Sequence, residues 1–287
     1  MTHLAGATRH AGRNLPGGKG GAVPPSGVSG SGAAPLAPGP AADGTAHPFR
    51  AVPVPALWRG VFDDTTTAAG DIVHVFCRAD DPGWARQAVG EIVARGRLPL
   101  LTVEPWAWPS DDEIAAMAAA IRACGSRPVW VRFAHEQNGD WYPWSGDSVR
   151  YVREWQRFHA AMPGNVRAVW CVNCQPVEGV GRWMPPLAEI DVVGIDGYAQ
   201  TPDQSFGDVF GPSIHALRGL APGKPLAICE TACPRGPKQR RWVEGMWSWI
   251  GARAPEVEAV VWFGVSKEAD WRLGPAARRA FLGREGR

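Results

Sequence analysis

The stretch VRFAHEQNGDWYPWSG (residues 131–146) combines features that neither a plain core strand nor a plain loop requires. Its first residues are apolar and β-forming, and they end in the ionisable pair His135 and Glu136. The turn-forming residues Asn138 and Gly139 follow, and then three aromatic residues lie close together. A buried strand gains nothing from an ionisable pair at its tip, because an unpaired buried charge is costly. The stretch therefore indicates a strand that carries functional groups to a surface.

Further apolar runs of similar length occur along the chain. With the strand above, they cover residues 57–62, 72–78, 98–105, 129–136, 166–173, 191–198, 225–232 and 259–266. Most are continuously apolar, which is typical of strands covered on both faces. Helical patterns lie between most of them, including a capping box from Ser110 to Glu113 and amphipathic segments at 148–162 and 238–254. Strands that alternate with helices in this way predict the α/β class and a (β/α)8 TIM barrel.

The first part of the chain differs in composition from the rest. Residues 1–48 are mostly Gly, Ala, Pro and Ser, with almost no branched or aromatic residues. Such a segment cannot bury enough apolar surface to offset its ordering entropy, so we predict a disordered tail there. Residues 49–287 are predicted to form the barrel, because α/β barrels of roughly 240 residues commonly fold as a single domain.

Charge and hydropathy exclude two classes of function. The net charge is +2 and the charged residues are interspersed, so a nucleic-acid surface is not expected. No apolar run approaches the length of about 18 residues that a transmembrane helix needs, so no membrane partner is expected. The first residues show no recognisable signal peptide. We expect a monomer.

The six cysteines allow three interpretations. Cys77, Cys171 and Cys229 lie in apolar runs and are expected to act as small buried hydrophobic side chains. Cys171 and Cys174 form a CxxC pair, and Cys233 follows Cys229 closely. Zinc is disfavoured because a strand directs the two sulfurs of CxxC to opposite faces, whereas a disulfide stays an alternative. We predict no metal and no cofactor.

Polar and aromatic residues collect at the carboxyl ends of the predicted strands, where barrel enzymes place their chemistry. Glu136 ends the fourth strand and Glu230 lies near the end of the seventh, so the two face each other across the mouth of a closed barrel. Glycoside hydrolysis needs such a pair, because one acid protonates the leaving oxygen and a second carboxylate attacks or activates water. A structural ion pair between Glu230 and Arg132 is the alternative interpretation.

The motif of the fourth strand resembles that of glycoside hydrolase family 26, a family known chiefly for endo-β-1,4-mannanases. The resemblance is carried by Arg132 and by His135-Glu136-Gln137-Asn138-Gly139-Asp140-Trp141, with Pro143-Trp144 following. The stretches GIDGY, which ends in Tyr198, and VVWF, which contains Trp262, are similar to the family's sixth and eighth strands. The resemblance spans roughly residues 57–273. It implies that Glu136 is the acid/base and Glu230 the nucleophile of a retaining double displacement.

Substrate-binding roles are expected for eight further residues around this pair. They are His135, Asn138, Trp141, Trp144, Tyr198, Trp262, Trp106 and Arg132. Trp side chains stack on the apolar face of a sugar ring, although core packing is the alternative for each of them. Turn formation alone would explain Asn138 and Gly139. Tyr198 is expected to hydrogen-bond the Glu230 carboxylate, and Glu136 is expected to have a raised pKa.

One departure from the family limits what the resemblance implies about substrate. Mannanases of the family carry a substrate-contacting histidine near the end of an earlier strand, whereas Glu104, Pro105 and Trp106 end the third strand here. The expected partner is a β-linked polysaccharide or oligosaccharide. β-1,4-Mannan is the first expectation, and lichenan, β-1,3-xylan and a bacterial exopolysaccharide are alternatives.

Two other kinds of protein share these sequence features. One is a non-catalytic carbohydrate-binding barrel, and the other is an intracellular barrel that trims or transfers glycans during polysaccharide biosynthesis. A polysaccharide substrate implies an extracellular location, whereas the start of the sequence as it stands implies a cytoplasmic one.

Overall fold

Eight parallel strands form the sheet of this protein in a computed structural model that describes residues 57–283. They are β1 (Trp58–Phe62), β2 (Ile72–Arg78), β3 (Leu98–Glu104), β4 (Val129–Phe133), β5 (Val166–Asn173), β6 (Val192–Tyr198), β7 (Leu226–Ala232) and β8 (Val257–Phe263). Each strand from β2 to β7 pairs with the strand that follows it in the chain, and β8 pairs with β1. Asp71 N, just before β2, donates to Arg59 O of β1 at 2.7 Å and brings the two ends of the sheet together. The predicted tail at residues 1–48 lies outside the described range.

Helices cover the outside of the sheet. They are α1 (Pro82–Ala94), α2 (Asp111–Arg122), α3 (Ser148–Ala161), α4 (Phe206–Leu220), α5 (Gln239–Arg253) and α6 (Pro275–Leu282), and two short 3-10 turns, Val180–Trp183 and Leu187–Glu189, follow β5. The predicted capping box is present, since Ser110 and Glu113 each accept a backbone N–H of the other at the start of α2. The alternation confirms the (β/α)8 barrel. No helix within residues 57–283 is long and apolar enough to cross a membrane.

Two strands, β4 and β8, end three residues earlier than their apolar runs predict. β4 stops at Phe133 because Ala134 and Glu136 have positive φ angles of 48° and 53°, which extended backbone does not allow. β8 stops at Phe263, opposite Phe62 at the end of β1. Because β4 and β8 end early, the chain leaves the sheet at the mouth of the barrel. Glu136 therefore lies on a turn rather than on a strand.

The interior of the barrel is more polar than its apolar strands suggest. The side chains of His74, Thr102, Arg132 and Asp196 all lie there with no exposed surface. Because buried polar groups are costly unless they are paired, a network of this kind indicates that it supports a functional site.

The cysteines are free thiols in this barrel rather than a disulfide framework, and five of the six are buried. All six are free, and Cys77, Cys171 and Cys229 are buried as predicted. Gly194 of β6 makes room for two of them, since a Cβ there would lie 2.8 Å from Cys171 Sγ and 2.9 Å from Cys229 Sγ. The interpretation of these three as small buried side chains is confirmed.

Candidate active site

Glu136 lies at the mouth of the barrel on the turn that follows β4, and only 7% of it is exposed. Its Oε1 accepts a hydrogen bond from Asn173 Nδ2 at 2.8 Å, and its Oε2 accepts one from Trp141 Nε1 at 2.8 Å. Burial, and after it the negative charge of Glu230, raises the pKa of Glu136 to about 7, although both hydrogen bonds act in the opposite direction. A large fraction of this carboxyl group is therefore protonated near neutral pH, and it can donate a proton.

Glu230 of β7 has a different environment. Arg132 Nη2 donates to its Oε1 and the Tyr198 hydroxyl donates to its Oε2, so both oxygens accept hydrogen bonds. The pairing register of β6 and β7 shifts just before Asp196, which then pairs with Glu230. Donors on both oxygens and an adjacent guanidinium stabilise the charged form of a carboxylate. The expected bond from Tyr198 is present.

Arg132 holds Glu230 from below the mouth. Its Nη1 donates to Asp196 Oδ2 at 2.5 Å and its Nε donates to Thr102 Oγ1 at 2.7 Å. Its Nη2 also lies 3.1 Å from His74 Nε2, and burial lowers the pKa of His74 well below its usual range, so this imidazole is neutral. Arg132 has no exposed surface, so the predicted contact between Arg132 and substrate is wrong. The arginine positions the carboxylate, and the predicted ion pair with Glu230 exists.

His135 is almost fully buried beside the two carboxylates. Its Nε2 lies 3.0 Å from the Tyr142 hydroxyl, and one of its ring nitrogens lies within 4.8 Å of carboxylate oxygens of Asp196 and Glu230. Burial, followed by the charge of Arg132, lowers the pKa of His135 well below its usual range, so the ring is neutral. Its Nδ1 has no hydrogen-bond partner among residues 57–283. The unused nitrogen is buried in this structure, so the contact of His135 with a sugar hydroxyl stays a prediction.

Two of the four predicted tryptophans lie at the mouth. Trp141 is 44% exposed next to Glu136, and Trp106 is half-buried at the end of β3. Trp144 is only 2% exposed, because it stacks on Tyr142 at 4.2 Å between ring centres and donates from Nε1 to His135 O at 2.7 Å. Trp144 therefore supports the turn in this structure, and its stacking on substrate stays a prediction.

Trp262 lies on the outer side of β8. Its ring has no exposed surface and packs against Trp242 of α5 and Phe281 of α6, at 5.8 and 5.7 Å between ring centres. The predicted contact of Trp262 with substrate is wrong because successive residues of a strand face opposite sides of the sheet. Phe263 points to the mouth instead, where its ring lies 5.7 Å from Tyr198.

Asn138 is also occupied by the protein itself. Its Nδ2 donates to Asn173 O at 2.9 Å and to Pro176 O at 2.8 Å, and its Oδ1 accepts from Asn173 N at 2.8 Å. These three bonds use its amide group to fix the loop after β5, and its substrate-binding role stays a prediction. Asn173, together with Trp141, contacts the proposed acid, and it ends a strand but carries no motif that marks it.

Gly139 closes a tight turn, because its N donates to Glu136 O at 3.0 Å, although its φ is not positive. A Cβ at this position would lie 2.5 Å from the Trp141 ring, closer than any real contact. Glycine is required here because the indole crosses directly over the backbone. The turn that the sequence predicts at Asn138 and Gly139 is present, and the contact with Trp141 adds a requirement for glycine that the sequence does not reveal.

Cys171, Asp196 and Cys229 have ligand atoms within 4.8 Å of one another, as a metal site would. Arg132 already places its positive charge on this group, since it binds Asp196 and contacts Cys171 Sγ at 3.5 Å. Burial also raises the pKa of the Cys171 thiol well above its usual range, which disfavours the thiolate that metals bind. The donor set does not suit a cation.

Comparisons with known proteins agree with the strand-four motif, although no family model matches the chain. Endoglucanase H of Acetivibrio thermocellus is 32% identical over 244 residues, which cover 74% of this chain and 27% of that protein. The chain thus spans about a quarter of the length of this curated relative.

Solved structures show the same architecture. GH26C from a Muricauda species has a TM-score of 0.63 at 13% identity, with 78% of this chain and 83% of that chain covered. A GH26 β-mannanase from Bacteroides ovatus has a TM-score of 0.59 at 16% identity, with 79% and 87% covered. At such identities the likeness shows the fold. The resemblance to glycoside hydrolase family 26 that the strand-four motif indicates is thereby confirmed, in sequence by one relative and in the fold of the (β/α)8 barrel.

Proposed function

We propose that the protein is a retaining glycoside hydrolase that cleaves β-linked polysaccharide through Glu136 and Glu230. The observation that carries the proposal is the contrast between these two buried carboxyl groups. Burial raises the pKa of Glu136 to about 7, whereas Glu230 accepts hydrogen bonds from Arg132 and Tyr198. Environments that differ in this way supply an acid and a nucleophile at the same pH.

In the first step, an Oε atom of Glu230 attacks the anomeric carbon of the sugar. The bond from that carbon to the glycosidic oxygen breaks, and the proton of Glu136 passes to the departing oxygen. The products are a glycosyl ester of Glu230, an ionised Glu136 and a shortened glycan with a new hydroxyl group. Asn173 and Trp141 donate to the ionised Glu136, and these bonds become stronger when the group is charged.

In the second step, a water molecule attacks the anomeric carbon and gives its proton to Glu136. The ester bond breaks, Glu230 leaves as a carboxylate, and Glu136 is protonated again. Two displacements at one carbon restore the original configuration, so the product is the β-anomer. Arg132 and Tyr198 stabilise Glu230 as it leaves, because both donate to its oxygens.

Two glycans are the first candidates for the substrate. The family resemblance implies β-1,4-mannan, and the relative at 32% identity is named an endoglucanase, which supports a β-glucan as the second candidate. The exposed ring of Trp141 beside Glu136 supports either, since it offers a stacking surface for a pyranose next to the proposed acid.

A reducing-sugar assay on mannans, β-glucans and xylans tests the proposal. We expect release from at least one β-glycan by the wild-type protein and by Glu244→Gln, a matched change at a half-exposed glutamate of α5. Glu136→Gln should release far less sugar. Proton NMR of the first product should show the β-anomer.

Two results would contradict parts of the proposal. Binding of glycans by a folded protein that never cleaves them would identify a carbohydrate-binding barrel. An inverted first product would remove the nucleophile role from Glu230, because inversion needs a single displacement by water.

A further inference from the structure

A third carboxyl group lies at the mouth of the barrel, at the end of β3. Thr102 of this strand points into the barrel, where it binds Arg132 and His74. Glu104 follows Thr102 by two positions and therefore points to the same side of the strand, one layer closer to the mouth. Its carbonyl oxygen accepts from Ala79 N at 3.0 Å, which fixes the strand end in place.

Glu104 shares its electrostatic environment with the proposed nucleophile. Burial is the largest cause of its raised pKa, and the negative charge of Glu230 acts in the same direction. The positive charges of Arg132 and Lys267 act in the opposite direction, as does a hydrogen bond from Trp106. Since Thr102, one layer below Glu104, binds the arginine that holds Glu230, Glu104 lies at the mouth on the side of the proposed nucleophile.

The hydrogen-bonding capacity of Glu104 is largely unused. Trp106 Nε1 donates to its Oε2 at 3.4 Å, which is long, and its Oε1 has no hydrogen-bond partner among residues 57–283. A carboxyl group that is mostly buried is normally better satisfied than this. This oxygen is available to accept a hydrogen bond from a ligand.

A cleft of about 290 Å³ lies beside this carboxyl group, between the ends of β2 and β3 and the start of α2. Trp106 and Trp108, both half-buried, form aromatic walls. Two other acids line the cleft, but Asp80 is paired with Arg78 at 2.6 Å and Glu113 caps α2 through Ser110. Aromatic walls with one convergent polar group are typical of a small-molecule subsite.

We propose that Glu104 is a specificity-determining residue that accepts hydrogen bonds from hydroxyl groups of the sugar next to the scissile bond and restricts that position to neutral sugars. A uronic acid there would bring its carboxylate against Glu104, Glu136 and Glu230, and like charges repel strongly at a desolvated site. Lys267 gives little compensation, since it is partly exposed and its Nζ lies 3.7 Å from Glu268. The inference rests on the proposed function, because it names the substrate class of the same site.

The experiment compares Glu104→Ala and Glu104→Gln with the wild-type protein and with the control Glu244→Gln. Each protein is assayed on a neutral aryl β-glycoside, on its monodeoxy analogues and on the corresponding uronide. Binding of neutral oligosaccharides and of their deoxy analogues is measured by calorimetry, which needs no turnover.

We expect Glu104→Ala to lose about 10- to 100-fold in kcat/KM and in affinity, as is usual for a hydrogen bond to a charged group, with the larger share of the kinetic loss in KM. Glu104→Gln should lose less. The loss should disappear with the deoxy analogue that lacks the bound hydroxyl, and the uronide should become relatively better in both variants.

Equal losses on all deoxy analogues, or no loss at all, would overturn the inference. If Glu104→Ala fails to fold by circular dichroism, the same comparison is made with Glu104→Gln. If the wild-type protein binds glycans but does not cleave them, the proposed hydrolase activity is wrong. The calorimetric comparison of the Glu104 variants still tests whether Glu104 binds the sugar. A wild-type protein that binds no neutral oligosaccharide would overturn the inference as well.

Discussion

Trp141 donates a hydrogen bond from its indole Nε1 to Oε2 of Glu136 at 2.8 Å. Trp141 is also the one large aromatic side chain among residues 57–283 that is classed as exposed. One residue therefore offers a sugar-stacking surface and lowers the pKa of the proposed acid at the same time. Substrate that packs on the ring would be held beside the proton it receives.

The substitution Trp141→Phe separates these two roles, because it keeps a ring and removes the hydrogen bond. Without this donor, which lowers the pKa of Glu136, that pKa should rise above its value of about 7. Glu136 must be protonated to act as an acid, so the alkaline limb of the kcat/KM profile should move to higher pH. A limb that stays in place or moves to lower pH would contradict the role of this bond.

Trp141→Ala should in addition lose stacking worth about 1–3 kcal/mol while the fold persists.

The close contact between Gly139 and Trp141 gives a second prediction. In Gly139→Ala the new methyl group would lie 2.5 Å from the indole, so the ring must move and its bond to Glu136 must lengthen. We expect roughly a tenfold or larger loss of kcat/KM, equivalent to about 1.4 kcal/mol, with little change in the circular dichroism spectrum. The control is Gly164→Ala, where a Cβ has open space, and it should be neutral. Equal activity of the two variants would show that Trp141 can move without consequence.

Tyr198→Phe removes one of the two donors to Glu230 and leaves Arg132 in place. A hydrogen bond to a charged group contributes about 1.5–3 kcal/mol, so kcat/KM should fall about 10- to 100-fold. The melting temperature should change little, because the ring keeps its packing against Phe263 and Trp271. Full activity in a folded variant would show that the carboxylate is oriented by Arg132 alone.

The strands of the barrel could be predicted because their apolar runs are nearly continuous, but the same property hides which face each side chain takes. In VVWF both neighbours are apolar, so nothing in the pattern shows that Phe263 points to the mouth and Trp262 to the helices. Alternation reveals orientation only where one face of a strand is polar.

The positions of Glu136 and Glu230 near the mouth could be predicted from the apolar runs, whereas the groups that contact them could not. The partners of Arg132 lie 30 to 98 positions away along the chain, and only the closed barrel brings them together. The positive φ of Glu136 has no local signal either, since no glycine or asparagine stands at that position. The surroundings impose this conformation: Glu136 N donates to Cys171 O at 3.0 Å, and Asn173 and Trp141 hold its carboxyl group.

The substitution Glu230→Ala tests the nucleophile. It should abolish hydrolysis, because the proposed double displacement needs the Glu230 carboxylate to attack the anomeric carbon. Azide is small enough to enter the space left by the side chain, and a single displacement by azide gives a glycosyl azide of inverted configuration. We expect rescue of turnover on an activated aryl β-glycoside, with the α-azide identified by NMR. Wild-type rates without azide would remove Glu230 from the mechanism.

The substitution Glu136→Ala tests the acid/base, and it should differ from the nucleophile variant in two measurable ways. Loss of the proton donor slows cleavage of poor leaving groups most, because an aryl oxide departs without protonation whereas a sugar alcohol does not. The activity ratio between an aryl glycoside and an oligosaccharide should therefore rise by orders of magnitude.

The glycosyl ester on Glu230 still forms with the aryl substrate, and azide can then replace water without needing a base. Two displacements return the original configuration, so this azide product should be the β-anomer, opposite to that of Glu230→Ala. The alkaline limb assigned to Glu136, whose pKa is about 7, should also disappear from the kcat/KM profile on aryl substrates. An α-azide from this variant, or a profile that keeps the limb, would assign the proton transfer to another group.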